Sequence, residues 1–241
     1  MAKMINLKKV LALVPARSGS KGIPEKNKKL INGIPLLAYP IIAAEKSKYI
    51  DKIIFSSDSK EMCNLARVYG ADTPFLRPLE LASDTSLRSD VILHTLDFVK
   101  NNFQDDFDIL VFLEPTSPLT NETDIDTALE FFLKYDCESL VSVAESPSHH
   151  PEYAVKLDIS SKIIKPFLRN SFEELPINRQ LLEPVYFFDG SIYISDIQTF
   201  LKKKEFYHEA TKGIILDNDK SLEIDEPIDF LIAQQILKKN E

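Results

Sequence analysis

The sequence predicts a mostly parallel, doubly wound α/β sheet, and three observations carry that prediction. Short apolar runs alternate with helical patterns through the first half of the chain. The first run, 10–14 (VLALV), lacks the polar alternation of a half-exposed strand and suits one buried on both faces. The 241 residues are 44% hydrophobic, ordinary for a globular chain and enough to cover both faces of such a sheet.

The elements follow in order. After the strand at 10–14 comes a helical pattern over 36–48, in spite of Pro40. A strand at 53–55 ends at Ser56-Ser57-Asp58, and a helix over 59–69 stops at Gly70. A long helix is expected from about 86 to 101, with Val91, Leu93, Leu96, Phe98 and Val99 on a wide apolar face. Then come a strand at 109–113, a Pro-rich turn, a helix capped by Asn121 and a strand at 139–143. Near residue 145 the rhythm changes. Pro147, Pro151, Pro166, Pro176 and Pro184 punctuate a stretch without a long helix, and 155–157 with 162–164 form a predicted hairpin around Ser160-Ser161. The segment 146–184 is therefore expected to leave the sheet as an insertion, with 1–145 and 185–241 forming one α/β domain. The chain returns to the sheet with a strand at 190–194. It reaches a further strand at 214–216 and closes with a helix over 227–239, proline at its first turn. The LKKK at 201–204 suits a solvated helix face.

Composition excludes several classes. The balance of 29 basic against 37 acidic residues, net −8, is poor for a nucleic-acid binder. The most apolar stretch, 33–44, is too short for a membrane span and holds Pro35 and Pro40. No apolar run follows the first lysines, so no secretory leader is expected. Cys63 and Cys137 are too few for a disulfide framework or a zinc site, His149-His150 lacks metal spacing, and a reducing cytoplasm is the expected setting.

Glycine is scarce. There are six where a frequency of roughly 7% would give about 17. Gly33 suits a turn, Gly70 a helix stop, Gly190 the opening of a strand and Gly213 a strand boundary. Gly19 and Gly22 have no such explanation. They lie in a loop directly after the first strand, where Arg17, Lys21, Lys26, Lys28 and Lys29 face one acid, Glu25. Ligands bind at the carboxyl ends of the strands in open α/β sheets. A glycine-bearing, cationic loop there suits a polyphosphate. The two glycines stand too close for a GxxxxGK[ST] loop, and GxGxxG and GxSxG are absent. Gly19-Ser20-Lys21-Gly22 matches the GXXG clamp of KH domains, but here a strand leads in.

The loop begins an ordered set. Pro15-Ala16-Arg17-Ser18-Gly19-Ser20-Lys21-Gly22 with Lys26-Asn27 is followed by Ser56-Ser57-Asp58. Next come Arg77-Pro78 with Glu80-Leu81-Ala82 and Asp84, then Pro115-Thr116-Ser117-Pro118-Leu119. The set continues with Arg179-Gln180 and the Gly190 strand, and closes with Glu223-Ile224-Asp225 and Asp229-Phe230. Over nearly its full length this set resembles the CMP-sialic acid synthetase (acylneuraminate cytidylyltransferase) family. The resemblance implies a Rossmann-like nucleotidyltransferase sheet that couples CTP, with Mg²⁺, to the anomeric hydroxyl of a nonulosonic acid. The products would be a CMP-sugar and pyrophosphate.

The family's motifs imply roles at the matching positions. Arg17, Lys21 and Asp225 would carry the chemistry. Arg17, Ser20, Lys21, Gly22, Asn27 and Arg77 would bind the nucleotide; the alternative for Arg77 is a surface ion pair with Glu80. Glu114, Thr116, Ser117, Lys156, Arg179, Gln180, Phe187 and Phe188 would meet the acidic sugar. Glu223 and Asp225 would hold the metal; in an extended segment residues i and i+2 point to one side, which suits a hard cation. The segment 146–184 matches the family's dimerisation region, implying a homodimer, with Lys156 and Arg179 as candidates for the acceptor carboxylate.

Three positions depart from the family pattern. Glu223 stands where aspartate is usual, Glu114 replaces glutamine, and Thr120 replaces arginine. A carboxylate at 114 repels an acidic acceptor unless it is paired. The acceptor's identity is therefore open, with Kdo or a non-catalytic nucleotide-binding role as alternatives.

Overall fold

The structure is a computed structural model that describes residues 8–19, 22–104, 106–146, 149–176, 178, 180 and 182–239. The chain divides into two compact units, 1–143 with 189–241, and 144–188.

The larger unit is built on a six-stranded sheet. Strand β1 (Val10–Pro15) leaves the loop that leads to the hairpin strands β2 (Leu30–Ile31) and β3 (Ile34–Pro35), then helix α1 (Ala38–Lys46), strand β4 (Lys52–Ser56) and helix α2 (Lys60–Val68). Helix α3 (Arg88–Asn102), strand β5 (Ile109–Leu113), helix α4 (Glu122–Lys134) and strand β6 (Ser139–Glu145) follow. β1 pairs in parallel with both β4 and β5, so Ala12 lies between Ile53 and Val111. That central place explains VLALV: Leu11 and Leu13 enter one apolar cluster with Ile92, Phe112 and Phe200, while Val10, Ala12 and Val14 enter another with Leu37, Phe55 and Phe132.

Local chemistry fixes the helix starts. The Ser59 side chain accepts from Met62 N, and Asn121 with Asp124 closes a full capping box on α4. α3 begins at Arg88, two residues later than expected, and has no side-chain cap.

In the smaller unit, β7 (Val155–Leu157) and β8 (Ile164–Pro166) form an antiparallel hairpin. The second strand lies two residues beyond the expected 162–164. The Asp158 carboxylate accepts from Ser160 N and Ser161 N, and Lys162 takes φ +61, so the turn consumes residues up to Ile163. Arg169 clamps Glu152 through two 2.7 Å hydrogen bonds. Large apolar side chains here stand exposed, among them Leu157, Ile159, Ile163, Phe167 and Phe188.

The chain continues as β9 (Tyr186–Asp196), α5 (Ile197–Lys203), β10 (Thr211–Ile215) and α6 (Pro227–Lys239). The sheet order is β10-β6-β9-β5-β1-β4, with β10 parallel to β6 and β9 antiparallel to β5. The sheet is therefore mostly parallel, as the sequence predicts. Gly190 does not open its strand. It lies inside β9 at φ +75, a conformation that favours glycine, beside the Glu223 carboxylate. Gly213 lies inside β10, paired with Val141. The run 201–204 falls on α5 and its C-cap, with exposed lysines. A third apolar cluster joins Ile23, Ile31 and Leu36 to Ile224 and Ala233, tying the first loop to the last helix. No helix among the described residues is long and apolar enough to cross a membrane.

Candidate active site

The loop after β1 is pinned at both ends. Ala16 N donates to Ser56 O at 3.0 Å, extending the pairing with β4 by one residue. Ser18 donates to Asp58 through its backbone N (2.8 Å) and its hydroxyl. Asn27, itself buried, donates from Nδ2 to Arg17 O at 3.3 Å and accepts from Leu37 N, closing the loop on itself.

This frame opens onto a cavity of about 460 Å³ at the carboxyl ends of β1 and β5. Of the expected site residues, Arg17, Gly22, Asn27, Arg77, Glu114, Thr116 and Asp225 all line it, together with Gly19. Ser20, Lys21 and Arg179 lie outside the described residues. Ser117 is buried, and its hydroxyl has no partner among the described residues. Lys156, Gln180, Phe187 and Phe188 belong to the smaller unit. There the Lys156 ammonium lies 5.1 Å over the Phe167 ring, Gln180 N donates to Asn178 Oδ1, and both phenylalanines are exposed.

Arg77 is no surface residue, and Glu80 is not its counter-ion. It is 5% exposed, and its nearest carboxylate is Asp58 at 3.9 Å. Burial pulls its pKa down and Asp58 pulls it back, but a guanidinium stays charged. Nε and Nη2 are buried and make no hydrogen bond among the described residues. A buried cation with unused donors at the edge of a cavity is poised for an electron-rich ligand.

The two unexplained glycines differ. A side chain at Gly19 would meet nothing within 4 Å, which leaves the backbone open to a ligand. At Gly22 a Cβ would stand 3.0 Å from Asp225 O, so packing against the acidic segment demands this glycine. The expectation that structure alone does not require it is overturned.

The acidic segment is held from three sides. Ile224 N donates to Thr116 O at 2.8 Å. The Thr116 hydroxyl donates to Glu223 Oε1 at 3.3 Å. Lys26 Nζ reaches Ile224 O at 2.6 Å and Asp225 Oδ1 at 3.1 Å. Asp229, in the first turn of α6, accepts from Asp225 N and Glu226 N. Burial and the neighbouring Asp225 push the Glu223 carboxyl up, against the Thr116 hydrogen bond and Lys26. Two mutually repelling carboxylates fit a hard cation. Among the described residues no group of three or more metal-ligating side chains forms. A cation at Glu223 and Asp225 would complete its shell with water and phosphate oxygens, the usual manner of Mg²⁺.

Sequence reasoning assigned no role to three polar residues here, two of which it had placed in motifs. Lys26 was visible only as part of a motif, since its partners are 198 and 199 positions away. Asp84 pairs with Arg17 Nη1. Arg88 reaches Glu114, its Nε 3.8 Å from Oε1, and lies over the rings of Tyr193 (4.4 Å) and Phe112 (5.5 Å). Burial pushes the Glu114 carboxyl up to about 7 in spite of Arg88.

A cationic, glycine-bearing loop at a β-strand end, with Asp225 across the cavity from it, suits the class of nucleotide-handling transferases. The chain belongs to the cytidylyltransferase family, whose model matches residues 11–237. It is 37% identical to the CMP-N,N'-diacetyllegionaminic acid synthase of Legionella pneumophila, over 97% of this chain and 98% of that protein. It is 34% identical to the N-acylneuraminate cytidylyltransferase of Escherichia coli, over 96% of this chain and 52% of that longer protein. Among solved structures, a CMP:2-keto-3-deoxy-manno-octonic acid synthetase complexed with CTP matches with a TM-score of 0.70. It covers 97% of this chain and 100% of that chain at 13% identity, a likeness of fold.

Proposed function

We propose that the protein transfers the cytidylyl group of CTP to the anomeric hydroxyl of a nonulosonic acid, giving a CMP-sugar and pyrophosphate. The observation that carries this reading is the shared cavity: Arg17, Gly19, Asn27 and Arg77 meet Glu114, Thr116 and Asp225 around it. The likeness to CMP-nonulosonic acid synthases along the whole chain supports the acceptor class.

The acceptor hydroxyl oxygen forms a bond to the α-phosphorus as the bond from that phosphorus to the pyrophosphate oxygen breaks in line, and the hydroxyl proton passes to water. Such transfers need positioning and charge neutralisation more than a covalent nucleophile. Arg77 offers Nε and Nη2 to the nucleotide. Arg17 exchanges Asp84 for phosphate oxygens, and Lys21 adds charge from the same loop. Asn27 holds the loop in shape through the Arg17 carbonyl. Lys26 fixes Asp225 in place. Glu223 and Asp225 would hold Mg²⁺, which supplies charge neutralisation to the phosphates when bound.

The smaller unit is read as the dimerisation segment, in which exposed Leu157, Ile159, Ile163 and Phe167 find cover on a second copy. Lys156 and Arg179 are the candidates for the acceptor carboxylate, with Gln180, Phe187 and Phe188 beside the sugar. The cytoplasm, where CTP is made, is the expected compartment.

The decisive experiment measures pyrophosphate release from CTP with sialic, legionaminic, pseudaminic and Kdo acids, using the other nucleoside triphosphates as controls. Release with CTP and a nine-carbon acid is expected. Preference for Kdo would move the acceptor to an eight-carbon acid. CTP binding with no release on any acid would leave a nucleotide-binding protein without the chemistry.

A further inference from the structure

Arg88 and Glu114 form a polar pair on the cavity wall to which the phosphate-binding reading gives no role. Both line the cavity. Arg88 rests on Phe112 of β5 and Tyr193 of β9, whereas Arg77 follows β4 on the other side of β1. The pair therefore lies across the central strand from Arg77. A triphosphate is repelled by a carboxylate that no metal bridges, whereas sugar hydroxyls donate to one. At 3.8 Å the contact between Arg88 Nε and Glu114 Oε1 is an ion pair too long for a hydrogen bond, so it leaves Glu114 lone pairs available. Arg88 Nη1 is buried, with no hydrogen-bond partner among the described residues. An N–H in that position costs stability unless a ligand uses it.

We infer that Arg88 and Glu114 work together as an acceptor-recognition pair, Glu114 accepting from sugar hydroxyls while Arg88 Nη1 donates to a carbonyl or carboxylate oxygen of the same acid. The paired charge lets a carboxylate stand in the site without repelling an acidic acceptor. This inference rests on the functional reading above and assigns Arg88 as a specificity-determining residue.

The test is steady-state kinetics on the full chain, with N,N'-diacetyllegionaminic and N-acetylneuraminic acids as probes. Arg88→Leu is expected to raise the acceptor KM about tenfold or more, the cost of losing a hydrogen bond from a charged donor. The KM for CTP should stay within about twofold. Arg88→Lys, which keeps the charge and loses the planar fork, should show a smaller rise in acceptor KM and serves if the leucine variant fails to fold. Glu114→Gln combined with Arg88→Leu should cost less than the product of the single changes, as coupled residues do. An unchanged acceptor KM, or a rise in the CTP KM of equal size, overturns the pair. Wild-type turnover on no nine-carbon acid, pseudaminic acid included, overturns the functional reading together with the pair, a result distinct from wild-type turnover with an indifferent Arg88.

Discussion

Strands β1 and β7 both draw on valine and leucine, yet every residue of Val10–Val14 is buried while Val155, Lys156 and Leu157 are all exposed. The difference lies in their surroundings. β1 has parallel strands on both sides and an apolar cluster over each face. β7 pairs with β8 alone, in a two-stranded sheet. A two-stranded sheet cannot bury its own apolar face in water. β1 is thus covered within one chain, whereas the β7–β8 hairpin leaves Val155, Leu157 and Ile164 exposed.

The largest expected effect tests the half built around β1. Asp225→Ala and Lys21→Ala should each lower turnover at least about a hundredfold, as the loss of a transition-state partner does. Near-wild-type pyrophosphate release in either variant would break the assigned roles. Arg77→Ala should weaken CTP binding by calorimetry about tenfold or more while leaving the acceptor KM nearly constant. Leu157→Glu addresses the other half. Sedimentation should show the proposed dimer giving way to monomer with little change in the far-UV spectrum; an unaltered sedimentation coefficient would refute the dimerisation reading. Gly22→Val should lower both CTP affinity and the melting temperature, the latter by several degrees, because a side chain must displace the Asp225 backbone.

The smallest effect is a pH dependence. The folded protein holds the Glu114 proton up to about 7, while the unfolded chain releases it near the ordinary value of 4.5. The folded state therefore binds more protons between these values, and ionisation of Glu114 costs stability as pH rises through that window. Glu114→Gln should gain on the wild type by a few degrees of melting temperature at pH 8 relative to pH 4.5. A difference that stays constant with pH would refute the raised carboxyl.

Much of the larger unit was legible because its signals are local. VLALV marks a strand buried on both faces, Asn121 caps its helix, and Pro227 opens the last one. The loop proposed to hold phosphate stands out by charge and glycine within a few residues. What escaped depends on distance in the chain. Lys26 finds Ile224, Arg88 finds Glu114, and Gly22 meets Asp225, none of which spacing can reveal. The hairpin register slipped by two because a side-chain turn at Asp158, rather than the Ser160-Ser161 pair, sets its length.

The Lys26 bond to Ile224 has a consequence for synthesis. The first strand, the cradle loop and the whole central sheet through β5 precede the acidic segment on the ribosome by a hundred residues or more. A nascent chain can pack that sheet as it emerges. The segment that carries Glu223 and Asp225 can dock against Gly22 and Lys26 only after synthesis has passed residue 225. The cradle is among the earliest parts made, and the site is among the last finished. A product cut short before Leu222 would keep every strand of the six-stranded sheet and lack both acidic residues of the proposed site.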